Sequence, residues 1–171
     1  LFAAAQAGQT ELVAERLAKG ADVNEKDPLG RSPLDRASTE DVKAALREHG
    51  GRHSLFHAAG EGMLEVVAEL IEAGADVVAQ QNADGETALH VALTRGQAEV
   101  AQQLLEKTTA EMLLLGDKKG DTLVHAAARG GVTEAAVKIL ERAGADVLAQ
   151  QNELGETALA LALKCGQAEV A

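Results

Sequence analysis

The sequence feature that most constrains the fold of this chain is a long internal repeat. Residues 74–101 recur almost unchanged as residues 144–171, a shift of 70 residues. Residues 1–23 match residues 55–77 in the same manner. The glycines that open successive units fall at spacings of 34, 35 and 35 residues: Gly51, Gly85, Gly120 and Gly155. A period of about 33 residues indicates stacked supersecondary units that bury their apolar faces only against their neighbours.

Each unit has the pattern of two short helices followed by a turn. Ser32, with Pro33 behind it, and Thr87 are typical N-cap residues at the start of a first helix. Acidic residues suited to a helix N-terminus open the second helices at Glu11, Glu65, Glu99, Glu134 and Glu169. Glycines suited to a left-handed helix end close them at Gly20, Gly50, Gly74 and Gly144. The polar stretch after each closing glycine predicts an extended, hairpin-like connection to the next unit, which we name a finger.

The composition favours thin layers over one thick core. The 171 residues are 46% hydrophobic and 25% charged, as expected of a folded chain. Aromatic residues are limited to Phe2 and Phe56, so any core must be built from Ala, Leu and Val. These side chains fill narrow spaces between close helices. We therefore predict an all-α chain of stacked helical hairpins instead of a conventional globular domain.

Two segments carry a family resemblance: GETALHVA at residues 85–92 and GDTLVHAA at residues 120–127. Followed by Gly-x-x-Glu-Val and Gly-Ala-Asp-Val, they look like ankyrin repeats, and the resemblance covers essentially the whole chain. It implies an all-α ankyrin-repeat solenoid of about six stacked helix-turn-helix units with hairpin fingers, both terminal units being incomplete. Residues 1–171 would then form a single ankyrin-repeat domain. The approximate units are 1–28, 29–50, 51–84, 85–119, 120–154 and 155–171.

Three departures from the repeat pattern carry expectations of their own. The second unit, residues 29–50, is about ten residues short because the turn between its helices near residues 37–40 is missing. The fourth unit replaces Gly-Ala-Asp-Val with TTAEMLLL at residues 108–115, which predicts a remodelled finger, with a longer second helix as one possibility. Neither end of the sequence has the polar unit that closes a repeat stack, so we expect a fragment of a longer chain.

Two histidines fall on a position that the family resemblance assigns to structure. By that resemblance, His90 and His125 hydrogen-bond Thr87 and Thr122 and the neighbouring loop backbone. A structural role is therefore expected for both, instead of a role in binding or catalysis.

Three further histidines raise the question of a metal site. His49, His53 and His57 lie four residues apart, a spacing that would align them as metal ligands on one continuous helix. Gly50 and Gly51 interrupt such a helix. His49 then closes one helix and His57 belongs to the next, so we predict no metal site.

No set of residues has the spacing of a catalytic centre. Cys165 precedes a turn glycine and has no histidine placed by the sequence to activate it. The carboxylates near the unit glycines fall on finger tips, where solvated charge is the normal state. Isolated turn glycines do not form a phosphate-binding loop. We therefore predict no catalytic residue, no cofactor and no enzymatic activity.

The family resemblance also implies which positions face a partner. These are the two residues before and the one after each unit glycine, together with the two before the glycine between the helices. Charge at the tips alternates, since the fourth and sixth units are acidic and the fifth is basic, and two exposed leucines are expected. The partner-facing positions are Leu29, Arg31, Arg52, Glu61, Ala83, Asp84, Glu86, Thr94, Arg95, Lys118, Lys119, Asp121, Arg129, Glu153, Leu154, Glu156, Lys164 and Cys165.

Two functions remain open from the sequence. The first is a non-catalytic scaffold that binds a protein or peptide on a concave face lined by fingers and first helices, as the resemblance implies. The alternative is a regulatory or substrate-recruiting ankyrin domain of a larger enzyme, channel or bacterial effector. The complete sequence of the longer chain would separate the two.

Charge and composition restrict the partner and the location. With 16 Lys and Arg against 27 Asp and Glu, the net charge of −11 opposes nucleic-acid binding, and few aromatic residues are available to stack on bases. A protein or peptide with basic segments is favoured by long-range attraction. No apolar run approaches the roughly 18 residues of a membrane span, so direct membrane insertion is not expected. The single cysteine is compatible with a reducing compartment, which predicts an intracellular, cytoplasmic location.

Overall fold

The computed structural model describes residues 1–74 and 78–166. Regular structure in these residues is helical, apart from one isolated antiparallel bridge between Gly116 and Thr122. The prediction of an all-α fold is confirmed. The α-helices are α1 (Phe2–Gln6), α2 (Thr10–Ala18), α3 (Pro33–Arg36), α4 (Glu40–Glu48), α5 (Leu55–Gly60), α6 (Leu64–Ala73), α7 (Ala88–Thr94), α8 (Ala98–Lys107), α9 (Leu123–Gly130), α10 (Thr133–Ala143) and α11 (Ala158–Lys164). Short 3-10 helices span Met112–Leu114 and Ala145–Ala149.

The chain divides into two compact regions, Leu1–His57 and Ala58–Ala171, named region 1 and region 2 below. The count of six repeat units and their assignment to one domain stay predictions. Part of one predicted finger, residues 75–77, and the last predicted second helix with Glu169 lie outside the described residues. Among the described helices, none has both the length and the apolar character needed to cross a bilayer.

Region 1 contains two helical hairpins, α1 with α2 and α3 with α4. Its core is aliphatic, and Val13, Leu34, Val42 and Leu46 are buried there with small residues of α1. α3 has only four residues, but the three-residue link from α3 to α4 is as long as the link from α1 to α2, so the prediction that the turn between these helices is missing is wrong. The second unit is short mainly in its finger, because six residues separate α4 from α5 whereas fourteen separate α2 from α3. Two residues of α3 are buried, against five of α7. The second hairpin of region 1 therefore buries less of its first helix than the hairpin that begins with α7.

Region 2 stacks hairpins in the same way, α7 with α8 and α9 with α10, and α9 packs against both α7 and α11. Leu89, Leu93, Leu104 and Ile139 are buried between these layers. α7 and α9 approach so closely that a Cβ at Gly130 would lie 1.8 Å from the Leu93 carbonyl oxygen. Small residues are required where first helices meet, which explains the Ala-rich composition of these segments.

The finger of the fourth unit is remodelled, but the longer helix predicted as one possibility is wrong. α8 ends at Lys107. Thr108 Oγ1 donates a hydrogen bond to the Leu104 carbonyl at 2.8 Å. Arg142 of α10 donates to the carbonyls of Leu105 and Thr108. The last carbonyls of α8 are thus satisfied by side chains, one of them from the next unit, instead of by further helix.

Two details of the predicted fingers differ in the structure. The helices close on glycines with positive φ at Gly20, Gly50 and Gly144. Gly74 instead has an extended backbone, with φ of 174°, because its amide closes α6 by bonding the Ile71 carbonyl without a left-handed turn. The finger after α10 starts with the 3-10 helix Ala145–Ala149 instead of extended chain, and this turn buries Val147.

Candidate interaction surface

Finger turns in both regions are built around one Asn or Asp side chain that the sequence analysis missed. Asn82 Oδ1 accepts hydrogen bonds from the amides of Asp84 and Glu86 at 2.9 and 3.0 Å. The same two bonds, to amides two and four residues further on, are made by Asp27, Asp117 and Asn152. Such side chains fix a turn by mimicking the backbone. The signal was available, because an Asn or Asp stands three residues before each of these unit glycines.

The tips of three fingers in region 2 are joined by backbone hydrogen bonds. The amide of Lys118 donates to the carbonyl of Asp84 at 2.8 Å. The amide of Glu153 donates to the carbonyl of Lys119 at the same distance. The predicted tip residues of the fourth, fifth and sixth units therefore lie side by side. We name Asp84, Lys118, Lys119, Glu153 and Leu154 the tip row.

The tip row carries charges that are not neutralised within the described part of the chain. Its four charged side chains are exposed, and none of them forms an ion pair with another described residue. In order along the row, the charges are acidic, basic, basic and acidic. Leu154 follows at the end and is 79% exposed. The expected alternation of charge is thus present on neighbouring turns.

Other predicted partner-facing residues in region 2 are paired with one another. Arg95 Nη1 lies 2.5 Å from Glu61 Oε1, and both side chains are about half exposed. Lys164 Nζ lies 3.0 Å from Glu156 Oε1. Hydrogen bonds from Lys164 and Asn152 lower the pKa of Glu156, so this carboxyl stays ionised. Exposed pairs of this kind contribute little to stability, and their charges are partly cancelled for a partner.

Asp121 differs from its expected place on an exposed tip. It is only 3% exposed, and its carboxylate accepts hydrogen bonds from Arg129 Nη2 at 2.5 Å and Asn152 Nδ2 at 2.8 Å. The finger that carries Asn152 covers it, which explains the burial. Asp121 therefore orients Arg129, itself about one-third exposed, and does not present a free charge.

The predicted site residues of region 1 also differ from expectation. Leu29 is partly buried, so the prediction of an exposed leucine at this tip is wrong. The Phe56 ring packs on the neighbouring Gly30 of this turn, where an added Cβ would lie 2.5 Å from the ring. Arg31 pairs with Asp27 at 2.9 Å. This turn is accordingly less accessible and less charged than the tip row.

The remaining predicted residues in this set are Glu86, Thr94 and Arg52, and they have different surroundings. Glu86 Oε2 accepts a hydrogen bond from Asn82 Nδ2 at 2.9 Å. Thr94 is the last residue of α7 and is partly buried. Arg52 is exposed, and its amide donates to Asn24 Oδ1 at 2.8 Å. Their part in binding stays a prediction.

His125 has the structural role that the family resemblance implies. It is fully buried, and its Nδ1 accepts from the Thr122 amide at 3.2 Å and lies 2.8 Å from the Thr122 hydroxyl. Because Nδ1 is an acceptor, the proton is on Nε2, which donates to the Glu156 carbonyl at 3.0 Å. His125 thus joins the start of α9 to the following finger.

His90 occupies the same position at the start of α7. Its Nδ1 accepts from the Thr87 amide at 3.2 Å. Its Nε2 is buried and has no hydrogen-bond partner among the described residues. Burial lowers the pKa of His90 to about 4, so the ring is neutral at pH 7.

In region 1 the histidine position at the start of α3 is taken by Asp35. Its Oδ2 accepts from the Ser32 amide at 2.7 Å, as in a capping box. Its Oδ1 lies 2.8 Å from His53 Nδ1, and the His53 and His57 rings are stacked with centroids 5.2 Å apart. His49 is not part of this cluster, since its Nδ1 bonds the carbonyl one turn earlier in α4. The link between Asp35 and the histidines was not predicted, although the sequence places an aspartate where other units carry histidine.

Comparison with known proteins agrees with this architecture. Residues 55–105 match the family model described as Ankyrin repeats (many copies). The chain is also similar to Ankyrin repeat and SAM domain-containing protein 6 of Danio rerio, with 30% identity over 120 residues. That match covers 63% of this chain and spans 16% of the relative's length. The predicted resemblance is confirmed, and the matched residues 55–105 carry ankyrin repeats. Ankyrin repeats are in general protein-protein interaction modules on a fold that is in general non-catalytic.

Proposed function

We propose that this chain is a non-catalytic scaffold that binds a protein or peptide across the tip row and the adjoining first helices, the face that is concave in the family. The proposal rests on one observation, the exposed charges on backbone-linked turns of region 2, which form no ion pair within residues 1–74 and 78–166. Side chains on turns that are already ordered can form ion pairs with a partner at a low cost in conformational entropy. Charge patterns of this kind select partners and accelerate their encounter.

The preferred partner follows from the order of the charges. Asp84 and Glu153 flank Lys118 and Lys119, which favours a segment with basic, acidic and basic groups in that order. The net charge of −11 favours a partner that is basic overall. Leu154, at 79% exposed, adds an apolar contact at one end of the row. Nucleic acid does not fit this row, because its backbone requires neutralisation by an excess of basic residues.

The test compares two double charge reversals of equal net change. Lys118→Glu with Lys119→Glu inverts the centre of the tip row, whereas Lys107→Glu with Lys138→Glu changes the exposed second helices α8 and α10. Peptides are first selected by display on the unmodified chain and then titrated against all three proteins by fluorescence anisotropy. Both variants should keep their free energy of unfolding within about 1 kcal/mol, because Lys107, Lys118 and Lys119 are exposed. Lys138 is partly exposed, and its ion pair with the exposed Glu134 contributes little to stability.

We expect the tip-row variant to lose at least about ten-fold in affinity, as removal of well-placed charges does at interfaces. The second-helix variant should bind as the unmodified chain does. Selected peptides should be enriched in Lys and Arg. Equal affinity for the two variants, or stronger loss in the second-helix variant, would show that binding uses another face.

A second candidate is that these repeats recruit or regulate within a larger enzyme, channel or bacterial effector. The observation in its favour is the zebrafish relative, whose name includes a SAM domain and in which the matched part is 16% of the length. Sequencing the complete transcript tests this candidate. An open reading frame that also encodes a catalytic or channel domain would support it, and one that encodes repeats alone would reject it.

A further inference from the structure

Region 1 contains a cluster of side chains that the proposed interaction surface does not use. Asp35, His53 and His57 each offer one possible metal-ligand atom, and these atoms all lie within 4.8 Å of one another. Asp35 belongs to α3, His53 precedes α5 and His57 belongs to α5. Among the described residues, no other group of three His, Cys, Asp or Glu side chains meets this geometry.

The carboxylate of Asp35 is held in place by backbone groups from two segments. Its Oδ2 accepts from the Ser32 amide at 2.7 Å and from the Ser54 amide at 3.1 Å. Its side chain is 0% exposed. Such outer hydrogen bonds are what orient a carboxylate ligand before an ion arrives. Little reorganisation of Asp35 would therefore be needed.

The two imidazole rings have a separation that suits one shared ion. Their centroids are 5.2 Å apart. Two imidazoles on a tetrahedral zinc ion, each at about 2.0–2.1 Å, would have centroids roughly 5 Å apart. The His53 side chain is 17% exposed, which leaves the cluster open to solvent on one side.

We propose that Asp35, His53 and His57 bind one Zn²⁺ ion in region 1. The ion takes the place of the proton between His53 Nδ1 and Asp35 Oδ1, now 2.8 Å apart, and the neutral His53 ring then carries its proton on Nε2. Two nitrogens and one oxygen match the ligands of zinc, whereas Ca²⁺ and Mg²⁺ prefer oxygen alone. Three protein ligands leave a fourth position for water. The ion joins α3 to α5 and so supports a hairpin whose first helix has only four residues.

The experiment titrates Zn²⁺ into the metal-free chain by isothermal calorimetry and follows thermal unfolding by circular dichroism. All proteins carry Cys165→Ser, because the exposed thiol is a zinc ligand in its own right. His53→Asn removes one ligand, while the asparagine amide can still donate to Asp35. His49→Asn is the matched control, since His49 is exposed and its Nδ1 bonds the Ala45 carbonyl in its own helix.

We expect one Zn²⁺ per chain, a higher melting temperature on its addition, and no such effect of Mg²⁺. His53→Asn should lower the affinity at least ten-fold, as loss of a ligand or its orienting group does, and His49→Asn should leave it unchanged. Absence of binding by the Cys165→Ser chain, or equal affinity of the two histidine variants, would overturn the site.

A second readout does not depend on any ligand variant folding correctly. In the Cys165→Ser chain, saturating Zn²⁺ should shift the ring ¹⁵N resonances of His53 and His57 and leave those of His90 and His125 in place, because the latter two are buried elsewhere. Unchanged resonances of His53 and His57 under saturation would refute the proposal. The result is independent of the tip row, so it leaves the proposed binding function untouched either way.

Discussion

The first helices α3 in region 1 and α9 in region 2 begin alike and then connect to the next unit through different chemistry. α3 has Ser32 as N-cap with Asp35 at the third helical position, and α9 has Thr122 with His125 there. Both third-position side chains accept a hydrogen bond from the backbone amide of their N-cap residue. The histidine then donates to the Glu156 carbonyl, whereas the aspartate accepts from the following segment.

The side chain at the third helical position therefore determines which hydrogen-bonding groups the following segment must supply. A histidine in the required tautomer needs a carbonyl, which any backbone provides. An ionised aspartate only accepts, so the next segment must present donors, and in region 1 these are the Ser54 amide and the His53 ring. Although burial raises it, hydrogen bonds from His53, Ser54 and Ser32 lower the pKa of Asp35 overall. The carboxylate is therefore ionised, and the two segments are chemically matched.

The largest effect should follow from breaking the region 1 connection. Asp35→Ala leaves the Ser32 and Ser54 amides and the His53 ring without their acceptor, so the free energy of unfolding should fall by about 3 kcal/mol. Urea denaturation followed by circular dichroism, in the presence of a chelator, measures it. Asp41→Ala, which removes an exposed acid from the first turn of α4, is the control and should cost less than about 1 kcal/mol. Similar losses of unfolding free energy in the two variants would mean that Asp35 stabilises only the start of its own helix and does not link it to the following segment.

A smaller effect, dependent on pH, concerns His90 at the start of α7. The pKa of His90 is lowered to about 4 by burial, so below the ordinary value near 6.5 the unfolded chain binds a proton that the folded chain does not. Stability should therefore be lost as pH falls through this window, by roughly 2 kcal/mol at pH 5. Unfolding by urea at pH 7 and pH 5 measures the loss, and His90→Asn should reduce it. An unchanged pH dependence in His90→Asn would contradict the assignment.

The smallest effect concerns local opening. α3 buries two residues, whereas α9 buries six. Residues 1–50 should therefore exchange amide hydrogens faster than residues 120–144, with protection factors lower by about ten-fold. Hydrogen exchange followed by mass spectrometry on the metal-free chain gives this comparison directly. Stronger protection in residues 1–50 would show that the short helix does not make region 1 easier to open than residues 120–144.

Local sequence signals predicted much of this fold, whereas contacts between distant segments were not predictable. Ser32 and Thr87 cap helices as expected, because an N-cap depends on residues within one turn. The end of α8 was missed because it depends on Arg142, which stands 34 residues after Thr108. The burial of Asp121 likewise depends on a finger 31 residues away.

The candidate surface shows the same division between local and distant causes. The order of charges on the tips could be read from the unit glycines alone. Which charges stay free could not, because the pairing of Glu61 with Arg95 spans 34 residues and requires the stacking of two units. The link between Asp35 and His53 was missed for that reason as well, since it connects side chains 18 residues apart.

The bonds that join the tips of region 2 use only backbone atoms, from Lys118 to Asp84 and from Glu153 to Lys119. Any residue with an amide hydrogen can make these bonds, so the spacing of the row does not depend on which side chains it displays. Substitution at a tip changes the displayed side chain and leaves the backbone spacing of the tip row unchanged. Under the proposed function, point mutations at the tips would therefore alter the choice of partner without rebuilding the repeats that hold the tips.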